Sequence, residues 1–178
     1  MDTIKNRIDI IHELAIKSPN LGKTAMMKYL FLLQQVYKVP LNYDFEIYTF
    51  GPYSSEVMGD IDFANSFNVI SIEAVTYPSG HMGYNINAKN NPIREDSDNS
   101  YEKEIDALLE LFGEKNAKEL ELLTTIVYLY RNAKINSWDL SREVIAQDVY
   151  EIKPHFNFNA IEEGYDSLEA NGILVKAI

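Results

Sequence analysis

Gly22-Lys23-Thr24 has the residues that end a phosphate-binding loop, where glycine amides and a lysine surround the phosphates of a nucleotide. That loop needs a glycine five residues earlier and a strand before it. Position 17 is Lys17, and the residues leading to it have helical periodicity, so Gly22 is read as the start of a helix. His12-Glu13 opens like a zinc-binding helix, but the second histidine, due four residues after the first, is replaced by Ile16. His12, His81 and His155 are the only histidines and cysteine is absent, so a metal site would have to be built almost wholly from carboxylates. Glu56, Asp60 and Asp62 are close enough in sequence for paired acid and base work, which needs burial to separate two pKa values. Glu56 and Asp60, four residues apart, are expected instead on one exposed stripe of a helix, as are Asp139 and Glu143. No serine stands in a nucleophile-elbow pattern. The expectation is a protein that is not an enzyme, with no catalytic residue, metal or cofactor; an unrecognised enzyme is the remotest reading.

One run does stand out. Tyr48-Thr49-Phe50-Gly51-Pro52-Tyr53-Ser54 places three aromatic residues around a Gly-Pro break between a strand and a helix. Glycine reaches backbone angles closed to other residues and proline fixes its own, so such a corner holds aromatics in set directions at low entropic cost. They serve either as core packing for the corner or as anchors for a partner.

The elements that would position this run follow from periodicity. Ile4, Ile8, Ile11 and Ala15 mark a first helix, stopped at Ser18-Pro19-Asn20. A second helix over 22–37, with Met26, Tyr29, Leu30, Leu33, Val36 and Tyr37 inward and Phe31 and Leu32 widening the stripe, is apolar nearly all round and is expected at the centre. Residues 44–50 alternate as a strand, Gly51-Pro52 breaks it, and Ser54 or Ser55 caps a helix over 54–65 with Val57, Ile61 and Ala64 inward. Strands are predicted over 67–77 and 83–87 around a Pro78-Ser79-Gly80 turn, making a small antiparallel sheet. Residues 88–99 are polar and read as a linker. Beyond them come helices over 101–113 and 117–132, a short one capped by Ser137 and running to about Val149, one capped by Asn159 and ending at Asn171-Gly172, and a terminal strand over 173–178. The fold class is thus α+β, mainly α-helical, with six or seven helices, a small antiparallel sheet and winged-helix-like elements. It forms one domain over 1–178, or two packed lobes over 1–87 and 100–178.

With 178 residues, 46% of them hydrophobic, the chain has ample material for a core. The absence of cysteine, of a continuous apolar leader and of any membrane-length apolar segment makes the cytoplasm the expected location and a membrane an unexpected partner. The formal charge is -11, yet residues 1–40 are net +3, leaving -14 for the remainder; residues 95–121 alone hold ten carboxylates against three lysines. Such a field repels polyanions unless a basic patch is set apart from it.

Lys23-Thr24-Ala25-Met26-Met27-Lys28-Tyr29-Leu30-Phe31-Leu32-Leu33, followed by Phe45-Glu46-Ile47-Tyr48-Thr49-Phe50-Gly51-Pro52-Tyr53-Ser54, resembles the SocA-like or Panacea domain of prokaryotic antitoxins and phage-associated proteins. In that family a helix carrying Lys-Leu-Leu-Tyr-Phe precedes an aromatic strand and a Tyr-Gly-Pro turn. Lys28-Tyr29-Leu30-Phe31 and Phe50-Gly51-Pro52-Tyr53 fill those places here, with Phe50 where tyrosine is common. The resemblance spans residues 22–65. It implies a non-enzymatic domain that neutralises a toxin or adapts a protein for other machinery, and it names no ligand residue; the aromatic corner and the matching positions together give Lys28, Tyr48, Phe50, Gly51, Pro52 and Tyr53 as the candidate partner-binding residues.

Some members of that family are labelled predicted transcriptional regulators, so the rival expectation is a winged helix-turn-helix that binds DNA. The groove-entering helix of such a domain would be 159–171, which carries Glu162, Glu163, Asp166 and Glu169 and no lysine or arginine, a composition that repels phosphate. Lys17, Lys23, Lys28 and Lys38, with Gln34 and Gln35, are the remaining candidates for a nucleic-acid patch.

Overall fold

The computed structural model describes residues 2–78, 80–90 and 101–177, which form eight helices and five strands. Helix α1 (Asp2–Lys17) leads through β1 (Leu21–Gly22) into α2 (Lys23–Gln35). A hairpin of β2 (Glu46–Tyr48) and β3 (Gly51–Tyr53) follows, then α3 (Ser55–Ser66), β4 (Ile70–Thr76) and β5 (Met82–Ala88). The second half is α4 (Glu102–Phe112), α5 (Ala117–Ile135), α6 (Arg142–Ile152), α7 (Phe158–Ala170) and the single turn α8 (Ile173–Lys176). The architecture is α+β and mainly helical, as expected.

Helix α2 is buried all round over Met26 to Leu33, and both halves of the chain pack on it. Phe31 meets Phe45 edge to face with ring centroids 5.2 Å apart, while Tyr29 and Tyr37 donate to the Phe112 and Ala107 carbonyls of α4 at 3.3 and 3.1 Å. One continuous cluster of buried side chains runs from Ile8 to Ala177. At the edge of α1, Arg7 donates to the Leu41 and Asn42 carbonyls, both at 2.6 Å, and lies 4.0 Å from the Tyr43 ring centroid. Its guanidinium also pairs with Glu56 and Asp60, at 3.5 and 3.6 Å.

Two sheets replace the single one expected. The larger has strand order β1-β5-β4, all antiparallel, with β1 supplied by the residues that lead into α2. The smaller is the β2-β3 hairpin, where Glu46 faces Tyr53, Ile47 faces Pro52 and Tyr48 faces Gly51. Gly51-Pro52 therefore does not simply break a strand but begins the returning one. Gly51 at φ +90° lets the chain reverse after Thr49 and Phe50, and a two-stranded ribbon has no third strand to miss the proline's absent N–H.

Other boundaries moved for local reasons. The strand predicted from 67 starts at Ile70, because α3 continues to Ser66 and Asn68 takes a left-handed turn at φ +58°. Ser137 also lies at φ +57° and caps nothing; α6 starts after Ser141, whose amide donates to Asp139 at 2.8 Å. Asn157 rather than Asn159 caps α7, accepting from the Ala160 amide at 2.8 Å. The terminal strand is instead the helical turn α8, since Ile173, Leu174 and Ala177 bury together at helical spacing against α5 and α7. Ile4, expected inward, is exposed. Ser79 and nearly all of the predicted linker, residues 91–99, lie outside the described residues.

Candidate functional site

The hairpin β2-β3 is held from both sides by buried lysines. Lys28, 2% exposed, reaches out of α2 and donates from Nζ to the Pro52 carbonyl at 2.7 Å. Lys153, 3% exposed, donates to the Tyr48 carbonyl at 2.8 Å and also to the Thr49 carbonyl. Lys153 is the residue after α6, and Pro154 behind it disfavours helix at that position, so the side chain leaves the helix axis toward the hairpin. Two lysines separated by 125 positions thus donate to carbonyls on either limb of one turn.

Glu121 supplies the counter-charge. Its Oε1 is 3.2 Å from Lys153 Nζ and 3.2 Å from His155 Nε2, ion-pair distances without the alignment of hydrogen bonds. Helix α5 presents Glu121 from a firm start: Asn116 accepts from the Lys118 and Glu119 amides at 3.0 Å, and Glu119 accepts from the Asn116 amide at 2.8 Å. Thr125 Oγ1 donates to the Glu121 carbonyl at 2.7 Å, one turn deeper. Burial lowers the Lys28 ammonium to about 7, with Lys153 adding to the shift and Glu121 opposing it. At Gly51 a Cβ would stand 3.3 Å from Thr125 Oγ1 and 3.4 Å from the Glu121 carbonyl, so a side chain there would crowd α5 as well as meet a left-handed φ of +90°.

Held this way, Tyr48 and Phe50 point outward and are 63% and 61% exposed. The Tyr48 and Tyr53 rings pack with centroids 5.5 Å apart, and Tyr53 is partly buried against the core. Tyr48 and Phe50 form a ridge between two hollows. One is an open cleft of about 700 Å³, lined by Ile47 and Ile152, by the buried Glu121 and Lys153, and by the exposed Lys118 and His155. The other, of about 240 Å³, lies against Thr24, Met27 and Met58.

The candidate partner-binding set therefore divides. Tyr48 and Phe50 are surface residues, whereas Lys28, Gly51 and Pro52 are internal framework and Tyr53 lies between. Sequence reasoning missed Lys153, Glu121, His155 and Lys118, which belong to other elements; the one visible sign was a lysine before Pro154 in a strongly acidic half.

The other lysine set does not gather into a free patch. Lys17 pairs with Glu13, Glu102 and Asp106, Lys23 with Asp62, and Lys28 is internal. Gln34 exchanges hydrogen bonds with the Tyr43 backbone at 2.9 and 2.8 Å, and Lys38 donates to the Gln35 carbonyl at 3.0 Å. Asp60 is not on an exposed stripe: it accepts from the Tyr43 hydroxyl at 2.8 Å and pairs with Arg7, and burial pushes its carboxyl up. His12 Nε2 lies 2.8 Å from the Lys89 carbonyl. Among the described residues no three histidine, aspartate or glutamate side chains converge as a metal site, and no helix is long and apolar enough to cross a membrane. Neither family models nor curated proteins give a match for this chain.

Proposed function

We propose that this chain is a non-enzymatic domain that binds a partner protein, acting as an antitoxin or adaptor. The observation that carries the reading is the ridge of Tyr48 and Phe50, exposed on a turn immobilised by Lys28 and Lys153. Aromatic side chains that are rigid before binding lose little entropy on capture, and such anchors dominate interface energetics. The resemblance of residues 22–65 to SocA-like or Panacea domains supports the same reading, since it takes in both the turn and the helix that carries Lys28. DNA binding is the weaker alternative, because the lysines that would contact phosphate are engaged by carboxylates or carbonyls or are buried.

The test is co-expression with the product of an adjacent gene, followed by co-purification and growth rescue. Phe50→Ala and Tyr48→Ala are each expected to weaken capture at least about tenfold, as truncating an anchor does, while the thermal midpoint stays within about 2 °C of the parent. A large fall in the midpoint would make these aromatics core, and undiminished capture would remove them from the interface.

A further inference from the structure

Resting on the protein-binding reading, we infer that the cleft beside the ridge takes a partner segment in which a carboxylate neighbours an aromatic or branched apolar side chain. The cleft's walls are apolar: Ile47 and Phe50 on the hairpin, Ile152 at the end of α6. Its ionisable lining is three basic side chains, Lys118, Lys153 and His155, against the single carboxylate of Glu121. In a chain of net charge -11 this is a local reversal of sign.

The arrangement decides which charge an occupant brings. Glu121 is 7% exposed and already lies 3.2 Å from both Lys153 and His155, so an incoming cation would have to compete with the Lys153 ammonium and displace the imidazole. Lys153 is spent on the hairpin carbonyls and on Glu121. Lys118 is different: it sits on the exposed face of α5, one turn before Glu121, and its ammonium is 5.7 Å from the Phe156 ring centroid. Among the described residues it is the lining lysine whose ammonium no carboxylate or carbonyl holds, placed to meet a carboxylate at the mouth while the partner's apolar side chain lies between Phe50 and Ile152. Electrostatic complementarity of this kind selects among partners and sets register.

A peptide fits better than a nucleic acid. A polyanion would carry its further phosphates over a chain of net charge -11. An isolated carboxylate with apolar neighbours meets the basic lining alone.

The full chain, immobilised, is exposed to a displayed library of randomised peptides. The expected pool is enriched in Asp or Glu next to Phe, Leu or Ile. Synthetic copies of its members should bind about tenfold more weakly to Lys118→Glu, nearly unchanged to Lys118→Arg, and poorly to Phe50→Ala. Lys118 is exposed, so neither substitution at it threatens folding. An unenriched pool, or peptides that ignore Lys118→Glu yet are lost on Phe50→Ala, would overturn the acidic-segment inference and leave the protein-binding proposal standing. Peptides indifferent to both would count against both. Displacement of the peptides by oligothymidylate, with affinity falling steeply in salt, would reassign the cleft to single-stranded nucleic acid.

Discussion

Gly51 and Lys28 are where single side chains decide the geometry of the ridge. Gly51 sits at φ +90°, and a methyl there would press on Thr125 and on the backbone of α5. Gly51→Ala is expected to cost about 1 to 3 kcal/mol, read as a lower urea midpoint. A variant as stable as the parent would show that the turn can be rebuilt without a left-handed residue. Lys28 loses its proton at about 7 in the folded chain but near its ordinary 10.5 when unfolded, because burial disfavours the ammonium. Between those values the unfolded chain holds more protons, so the folded state gains stability as pH rises, by at most about 1.4 kcal/mol per pH unit. Below about pH 7 the whole cost of burying the charge is carried. Lys28→Met removes this slope, so its stability relative to the parent should be better at neutral pH than at about pH 10. A difference that does not vary across that range would place the ammonium in a solvated setting.

The hairpin is an element that could not stand alone. Two three-residue strands are too short to persist in water, and here α2, α5 and the end of α6 supply the missing support. Lys153 and Glu121 carry much of it, so removing one of the pair strands the other charge in the interior. Lys153→Met is expected to cost about 3 to 5 kcal/mol and to speed hydrogen exchange of the Phe50 and Gly51 amides. Lys153→Met with Glu121→Leu should regain much of that stability, since a matched apolar pair leaves no buried charge behind. A single variant that costs less than about 1 kcal/mol would mean that the pair is screened by water. The double variant also separates stability from function: the fold recovers, but the turn has still lost its second anchor.

Across the whole molecule, charge argues in two directions. The net -11 and the pairing of Lys17 and Lys23 with carboxylates predict no binding to a random-sequence duplex, even at low salt, by fluorescence anisotropy. Tight binding that weakens steeply as salt rises would restore the DNA reading. The sequence by itself determined the mainly helical α+β class, the buried centre over α2, and the inward sets of α3 and α7, because apolar spacing directly reports which face of an element leaves water. It also marked the aromatic Gly-Pro run. Tertiary structure alone decided that the run folds back as a hairpin, that the tail is helical, and that Lys28 and Gly51 are interior while Tyr48 and Phe50 are surface. The outcome at the turn depends on Glu121, Thr125 and Lys153, which approach it from 70 to 105 residues away, and contacts at that separation leave no periodic trace in the chain.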